Sequence, residues 1–508
     1  MKSEIKSGAI IGYVNMFANI IITFFYTPIM LRLMGNSEYG LYSLVSSVIA
    51  YLSVLDMGFG NAMIRFVSKA KAKKQDKEEY KINGLFLILY TIIGTITIII
   101  GFILLSNIQK LFPALTDAEI KKAKIIMEIL IFTIAISFPL SIFDSYALAC
   151  EKFKFLKTLN LIKTISIPLT MLPLLFLGYK SITMVIITSA YNILYHIATL
   201  ICCFKKLNMK IKISIKNIDK DLFKNIFNYS FFVFLSLIVD TVFNNTDQVI
   251  LGSVCGTMAV SIYAVATKIV NMNVSVSTTI SGLFLPKITK MLEEKNSDEK
   301  ISELFIKVSR IQIYLMMLIL SGFVILGRQF LNLWVGSEYK DVYYIILLII
   351  VPSLIPLTQN IGISVIQAKN QHQFRSVVYL FIAIINIAIS IPLARRFEGI
   401  GAAAGTLIAN LLGQIITMNI FYWKKAKLNI PKYWKFLTIF TLKIGVVVTL
   451  MMLIIRNIEF NWIRLLLLAI VYVIIYAIIV MTTMNKEEKK HLIEILSNIK
   501  TTLTKSNK

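Results

Sequence analysis

The sequence predicts an all-α polytopic membrane protein. It would have about 14 transmembrane helices, forming two six-helix lobes related by a parallel repeat, then two further helices. Three observations carry this. Of the 508 residues 57% are hydrophobic, and they gather in stretches of about 20, the length that crosses roughly 30 Å of hydrocarbon. The formal net charge of +26, from 53 Lys and Arg against 27 Asp and Glu, sits in short clusters between those stretches. Finally, an offset of 221 residues lays Gly35–Tyr42 (GNSEYGLY) on Gly256–Tyr263 (GTMAVSIY), the kind of internal match that transporters carry.

In chain order the helices cover roughly residues 8–33, 38–62, 84–108, 122–149, 160–178 and 182–204, making an N-terminal lobe over 1–204. A basic linker spans 205–225. Helices over roughly 226–251, 259–284, 304–327, 343–367, 375–394 and 400–423 make a second lobe over 226–423. Two more, near 436–456 and 462–484, occupy 424–484, and a basic tail fills 485–508. The opening Met-Lys-Ser-Glu-Ile-Lys runs into a span too long for a cleaved signal peptide, so it is expected to be retained. Gly8–Gly12 and Gly401–Gly405 (GAAAG) have the small-xxx-small spacing of close helix packing. Pro168, Pro173, Pro352 and Pro356 sit inside spans and are expected to kink them.

The loops fix an expected sidedness. Arg65, Lys69, Lys71, Lys73, Lys74, Lys77 and Lys81 follow the second helix; Lys205, Lys206, Lys210, Lys212, Lys216, Lys220 and Lys224 follow the sixth. Lys424, Lys425, Lys427, Lys432 and Lys435 follow the twelfth. Gly35–Ser37, Gly252–Met258 and Asn457–Asn461 carry no Lys or Arg. The positive-inside rule then puts both termini in the cytoplasm. It also accounts for the positive charge without a nucleic-acid partner. Cys150, Cys202, Cys203 and Cys255 lack metal-ligand spacing and lie in or near spans.

Helical periodicity places the polar residues within the spans. Ser236, Asp240, Asn244 and Asp247 share one stripe of the seventh helix, and Ser261, Lys268, Asn271, Ser275 and Thr279 share one on the eighth. An ionisable group at that depth costs about 3 kcal/mol or more, so it faces protein or a water-filled cavity. The same offset lays Asn15 on Ser236, Asn19 on Asp240, Thr23 on Asn244, Ser43 on Ala264 and Ser47 on Lys268. The expected cavity is therefore lined by Lys268, Asp240, Asp247, Asn244, Asn271, Ser236, Ser275, Asn15, Asn19, Ser43 and Ser47. Its first hairpin is neutral and its second is charged. Two readings of the charges stand. They form an ion pair closing the hairpin, or Lys268 contacts an anion while the aspartates tune it or carry a coupling cation.

Asp56, beside Gly58 and Gly60, lies off the serine stripe and is read as a gate or packing group. Asp144, Lys163 and Arg310 stand near helix ends and are expected to snorkel to the interface. His196 is the one deep histidine, read as packing ahead of proton relay. There is no Walker loop, HExxH or GxSxG, and Asp219-Lys220-Asp221 is a chance DxD. The expectation is a protein that is not an enzyme and needs no cofactor.

Several segments resemble a known family. Tyr39–Val48 through Leu55-Asp56-Met57-Gly58-Phe59-Gly60 resembles the second-helix region of Wzx-like polysaccharide flippases. Asp247–Gly252 with Ile262-Tyr263 resembles their seventh and eighth helices, Gly399–Gly405 their twelfth, and Leu333-Trp334-Val335-Gly336 an outer-loop element. The resemblance implies the multidrug/oligosaccharidyl-lipid/polysaccharide exporter superfamily, in which two lobes rock about a cavity formed mainly by helices 1, 2, 7 and 8. It implies an undecaprenyl-diphosphate-linked oligosaccharide as substrate. The expected partners are that glycan, membrane lipids, a coupling H+ or Na+, and the polymerase and glycosyltransferases of the same route. Cation-coupled drug or precursor export is the alternative; a membrane glycosyltransferase or polymerase is a more distant one, because no catalytic constellation is visible.

Overall fold

The structure, a computed structural model, describes residues 2–213, 220–281, 284–294, 296–369, 371–456, 458–486 and 488–489. Every regular element among them is helical. The chain begins with α1 (Lys2–Met34), α2 (Asn36–Ser53), α3 (Phe59–Ala72), α4 (Asp76–Ser106), α5 (Ile108–Leu111), α6 (Asp117–Ala149), α7 (Phe153–Phe176) and α8 (Ser181–Lys205). It continues with α9 (Lys220–Val254), α10 (Thr257–Ser281), α11 (Leu285–Met291), α12 (Ser297–Trp334), α13 (Lys340–Thr358) and α14 (Ile361–Ala368). Last come α15 (His372–Asn410), a π-helical stretch Leu411–Thr417, α16 (Met418–Lys424), α17 (Ile430–Ile455) and α18 (Trp462–Thr483).

Thirteen described segments are long and apolar enough to cross a membrane. One of them, Gln373–Lys424, has 52 residues, about 78 Å at helical rise and too long for one crossing. Its backbone leaves helical geometry at Phe397 and Glu398, where φ of Glu398 is +48°. Split there, it makes two crossings, and the 14 expected helices are present. Their outward faces suit hydrocarbon. Ile10, Val14, Phe17, Ile21 and Phe25 form an exposed stripe on α1, as Ile463, Leu466, Leu467, Ile470 and Ile474 do on α18. Apolar exposure on that scale belongs in lipid. This is a multi-pass membrane protein.

Helix ends depart from the hydropathy windows for a simple reason. Hydropathy sees only the apolar middle, whereas backbone hydrogen bonding carries α12 through polar first turns to 38 residues. At α6 the start is fixed by a capping box, in which Thr116 and Glu119 satisfy each other's backbone amides.

The densest packing divides the chain into Met1–Lys268 with Ser376–Ala409, and Ile269–Arg375 with Asn410–Lys508. This boundary falls inside α10. In the first unit a core of Phe59, Met63, Phe86, Tyr90, Phe138 and Tyr146 ties α3, α4 and α6 together at the end bearing the basic loops. The described start of the linker is docked on α4. Lys212 N donates to the Tyr80 carbonyl (2.9 Å) and Asn83 to that of Lys210 (3.0 Å). A Cβ at Gly84 would lie 2.1 Å from the Lys212 carbonyl oxygen.

In the second unit Arg310 pairs with Glu488, five residues past the end of α18. Its guanidinium is mostly buried, 2.6 Å from Glu488 and 4.1 Å from the ring centroid of Phe436. A planar cation can satisfy a carboxylate and a ring together. Asp144 and Lys163 each meet a side chain of α8. Gly401 and Gly405 are packing glycines, as their spacing predicts. A Cβ there would come within 2.1 Å of the Leu393 carbonyl and 2.2 Å of Ser390 Oγ.

Candidate transport site

The hairpin α9–α10 turns at Gly256, whose φ of +89° favours glycine. Asp247 stands near the turn end of α9, with 4% of its surface exposed. Its Oδ2 accepts from the Tyr263 hydroxyl of α10 and from Thr406 Oγ1 of α15 at 2.6 Å. Behind Thr406, Asn386 donates to its hydroxyl at 3.3 Å, and Ser390 bonds both Asn386 and the Ala402 carbonyl. Asp247 Oδ1 is buried without a hydrogen-bond partner. A carboxylate with neutral oxygens around it and one empty lone-pair position suits a proton or a hard monovalent cation.

Lys268 lies elsewhere. Its ammonium is 3.5 Å from Thr27 Oγ1 on α1 and 5.0 Å from the ring centroid of Tyr39 on α2. Among the described residues no carboxylate lies within ion-pairing distance of it. The ion pair that would close the hairpin is therefore not formed. The cation is held by a hydroxyl and a π face, which position it without neutralising it.

The other stripe residues divide. Asp240 and Asn244 are exposed on α9, with Asn244 donating to the Asp240 carbonyl at 2.7 Å. Asn19 is exposed on α1 and accepts from Thr23 at 3.3 Å; Asn15 is half-buried, its Oδ1 without a partner. Asn271 and Ser275 are exposed and fall in the second unit, with Ser275 donating to the Asn271 carbonyl at 2.8 Å. The side chains of Ser236 and Thr279 lie outside the described residues. Ser43 and Ser47, expected to line the cavity, are buried. Ser47 donates to Gln248 of α9 at 2.8 Å, and Tyr51 meets Thr246 at 2.6 Å. Small residues allow this approach: a Cβ on Gly252 would sit 2.3 Å from Leu44 Cδ1.

The ends of the same helices whose hairpin loops lack Lys and Arg are latched. Glu119 accepts from Ser37 (2.7 Å) and Thr257 (2.6 Å), whose hydroxyls are 3.0 Å apart, while Glu38 takes Lys122 and Ser181. A Cβ on Gly40 would lie 1.9 Å from the Thr257 carbonyl oxygen. At the opposite end of α2, Asp56 accepts from Gly58 N (3.1 Å) and the Tyr90 hydroxyl (2.7 Å). Met57 and Gly58 both have positive φ, which breaks α2 from α3, and a Cβ on Gly58 would press within 2.4 Å of Val233 on α9. Thr406, Asn386, Ser390 and Thr27 were not singled out by sequence, and Tyr39 and Tyr263 entered only as parts of family-like segments. Asn386 and Ser390, four apart in an apolar run, are the pair periodicity could have found.

Polar hairpins set within fourteen membrane crossings define the class: an α-helical membrane protein with the fold of multidrug/oligosaccharidyl-lipid/polysaccharide transporters. The chain belongs to the family described as polysaccharide biosynthesis protein, whose model matches residues 5–292. Its fold is similar to that of lipid II flippase MurJ in an inward closed conformation: TM-score 0.71, 17% identity, 93% of this chain and 97% of that one. It is also similar to a multidrug resistance MATE family transporter of the MOP superfamily. The inward-facing form gives TM-score 0.58, 13% identity and 83% and 99% coverage. The outward-facing form gives 0.57, 12%, and 84% and 96%. No curated protein matches the chain.

Proposed function

We propose that the protein is a flippase. It would turn an undecaprenyl-diphosphate-linked oligosaccharide repeat unit across the bacterial cytoplasmic membrane by alternating access, feeding surface polysaccharide synthesis. The observation that supports this most is Lys268, a cation within the membrane span held by Thr27 and Tyr39 with no carboxylate against it among the described residues. Such a group attracts a diphosphate or an acidic sugar. Asp240 and Asn244 offer partners for sugar hydroxyls, and the lipid tail stays in the bilayer. Asp247 with Thr406 and Tyr263 takes the coupling H+ or Na+. The basic loops support a cytoplasmic position for both termini. Glycosyltransferases supply the cargo and a polymerase consumes it.

The test is Lys268→Glu in cells that depend on the protein for surface glycan. Glycan should be lost, by a factor of roughly 30 or more for a 2–5 kcal/mol deficit at a desolvated charge, with normal membrane insertion and lipid-linked repeat units accumulating on the cytoplasmic side. Unchanged glycan would remove Lys268 from the site, and single units displayed at the surface would point to a polymerase. The unpartnered oxygen of Asp247 favours a second reading, cation-coupled export of a drug or another lipid-linked precursor. Asp247→Asn that abolishes efflux of a cationic dye while sparing glycan would select it.

A further inference from the structure

The two hairpins meet at the end where their loops carry no Lys or Arg, and the contacts there are not symmetric. Thr257 of α10 is buried and donates to Glu119 Oε1 at 2.6 Å; Ser37 of α2 donates to the same oxygen at 2.7 Å. One carboxylate oxygen of α6 therefore bridges the tips of both hairpins. The other is fixed. Glu119 Oε2 accepts from Thr116 N at 2.9 Å and from the Thr116 hydroxyl at 2.8 Å, within the capping box that starts α6. The loop before α6 lies against the same turn. A Cβ on Gly256 would sit 3.4 Å from the Ala114 carbonyl oxygen, and Phe112 and Leu115 of that loop are buried.

A second set of contacts stands beside the first and has a different reach. Glu38 of α2 takes Lys122 of α6 and Ser181 of α8, so it ties those three helices to one another. The 221-residue offset lays Glu38 on Ala259, Glu119 on Lys340, Lys122 on Tyr343 and Ser181 on Ala402. Neither carboxylate is repeated, so the arrangement is one-sided. That decides where this end can part. Freeing Thr257 leaves Glu119 with Ser37 and Thr116, and no charge loses its partners. Freeing Glu38 from Lys122 would separate opposite charges, one of them mostly buried.

We propose that Glu119 is the bolt of an outer gate. With the loop before it, Glu119 holds the tip of α10 against α2. The gate opens by release of Thr257 alone, while α2, α6 and α8 move as one piece held by Glu38. The positive-inside rule makes this the exterior side. The inference rests on alternating access and not on the identity of the cargo.

The test labels a buried cysteine from outside intact cells with a membrane-impermeant maleimide. The cysteine replaces Ser43, buried about one turn along α2 from Gly40, in a full chain whose native Cys150, Cys202, Cys203 and Cys255 are alanine. Thr257→Val keeps the side-chain shape and removes the hydroxyl. It should speed labelling roughly tenfold, the worth of one hydrogen bond to a charged group. Glu119→Gln should speed it as well. Ser181→Ala, which loosens Glu38 only, should leave the rate unchanged. In the same variants Val67→Cys, in the core at the opposite end of the helices, should stay unlabelled, which separates opening from unfolding. A rate unmoved by Thr257→Val, an equal rise with Ser181→Ala, or labelling at Val67→Cys overturns the proposal. The labelling reads no transfer, so glycan in Lys268→Glu cells decides the cargo separately.

Discussion

Ser47 and Lys268 are the same position twice. Displaced by the 221-residue offset, Ser47 of α2 becomes Lys268 of α10, and Gln248 of α9 becomes Thr27 of α1. The structure joins Ser47 to Gln248 at 2.8 Å and Lys268 to Thr27 at 3.5 Å. Each contact is the image of the other, as across a two-fold axis where i meets j and j meets i. At Gly40 the axis shows directly: its Cβ position lies 3.2 Å from N of Ser261, its own equivalent. The two hairpins thus share one geometry with different chemistry. On the first, a neutral hydroxyl is spent closing α2 on α9. On the second, an ammonium takes that place beside Thr27 and the Tyr39 ring.

The largest way to disturb that comparison is at the axis. A methyl at Gly40 collides with the Thr257 carbonyl, and overpacking of this kind costs about 1–3 kcal/mol, against about 1 kcal/mol gained in helix propensity. Gly40→Ala should therefore pull α2 from α10. With cysteines replacing Ser37 and Thr257, whose hydroxyls are 3.0 Å apart, disulfide formation should slow in Gly40→Ala by roughly threefold to tenfold, for about 1 kcal/mol net. An unchanged rate would mean the latch does not depend on the glycine.

The symmetric contacts come next. Ser47→Ala should lower thermal stability by roughly 1 kcal/mol, the worth of one hydrogen bond, and leave surface glycan near normal. Thr27→Val should do the reverse, sparing stability and reducing glycan, since Lys268 loses the hydroxyl that positions it. Equal effects of the two on both readouts would mean that the two contacts do the same job.

How much of this was legible beforehand follows from what a stripe can and cannot report. Periodicity finds which side of a helix is polar, so fourteen crossings and the polarity of α9 and α10 could be read directly. It does not tell a wet face from a packed one. Ser43 and Ser47 carry the same signature as Asn19 or Asn244, yet they are buried, because Gly40 and Gly252 let neighbouring helices close over them. The partners of Asp247 escaped because Asn386, Ser390 and Thr406 come from helices more than 130 residues further along the chain. The offset held more than the hairpin match alone conveyed. It predicts the Lys268–Thr27 contact from Ser47–Gln248, but only once one of the two has been seen.

The smallest effect separates two glycines of the first hairpin that share one motif. Gly8 and Gly12 of α1 have the spacing of close helix packing, and only Gly8 uses it. A Cβ at Gly8 would lie 2.7 Å from Cβ of Phe153, whereas at Gly12 nothing lies within 4 Å. Gly12→Ala adds a methyl in open space and removes backbone freedom, so it should raise stability by about 0.5–1 kcal/mol. Gly8→Ala meets α7 and should gain nothing or lose. Paired thermal unfolding of the two variants in one detergent reads the difference. If Gly12→Ala destabilises as much as Gly8→Ala, then that face of α1 meets a partner, and the first hairpin is not a bare neutral copy of the second.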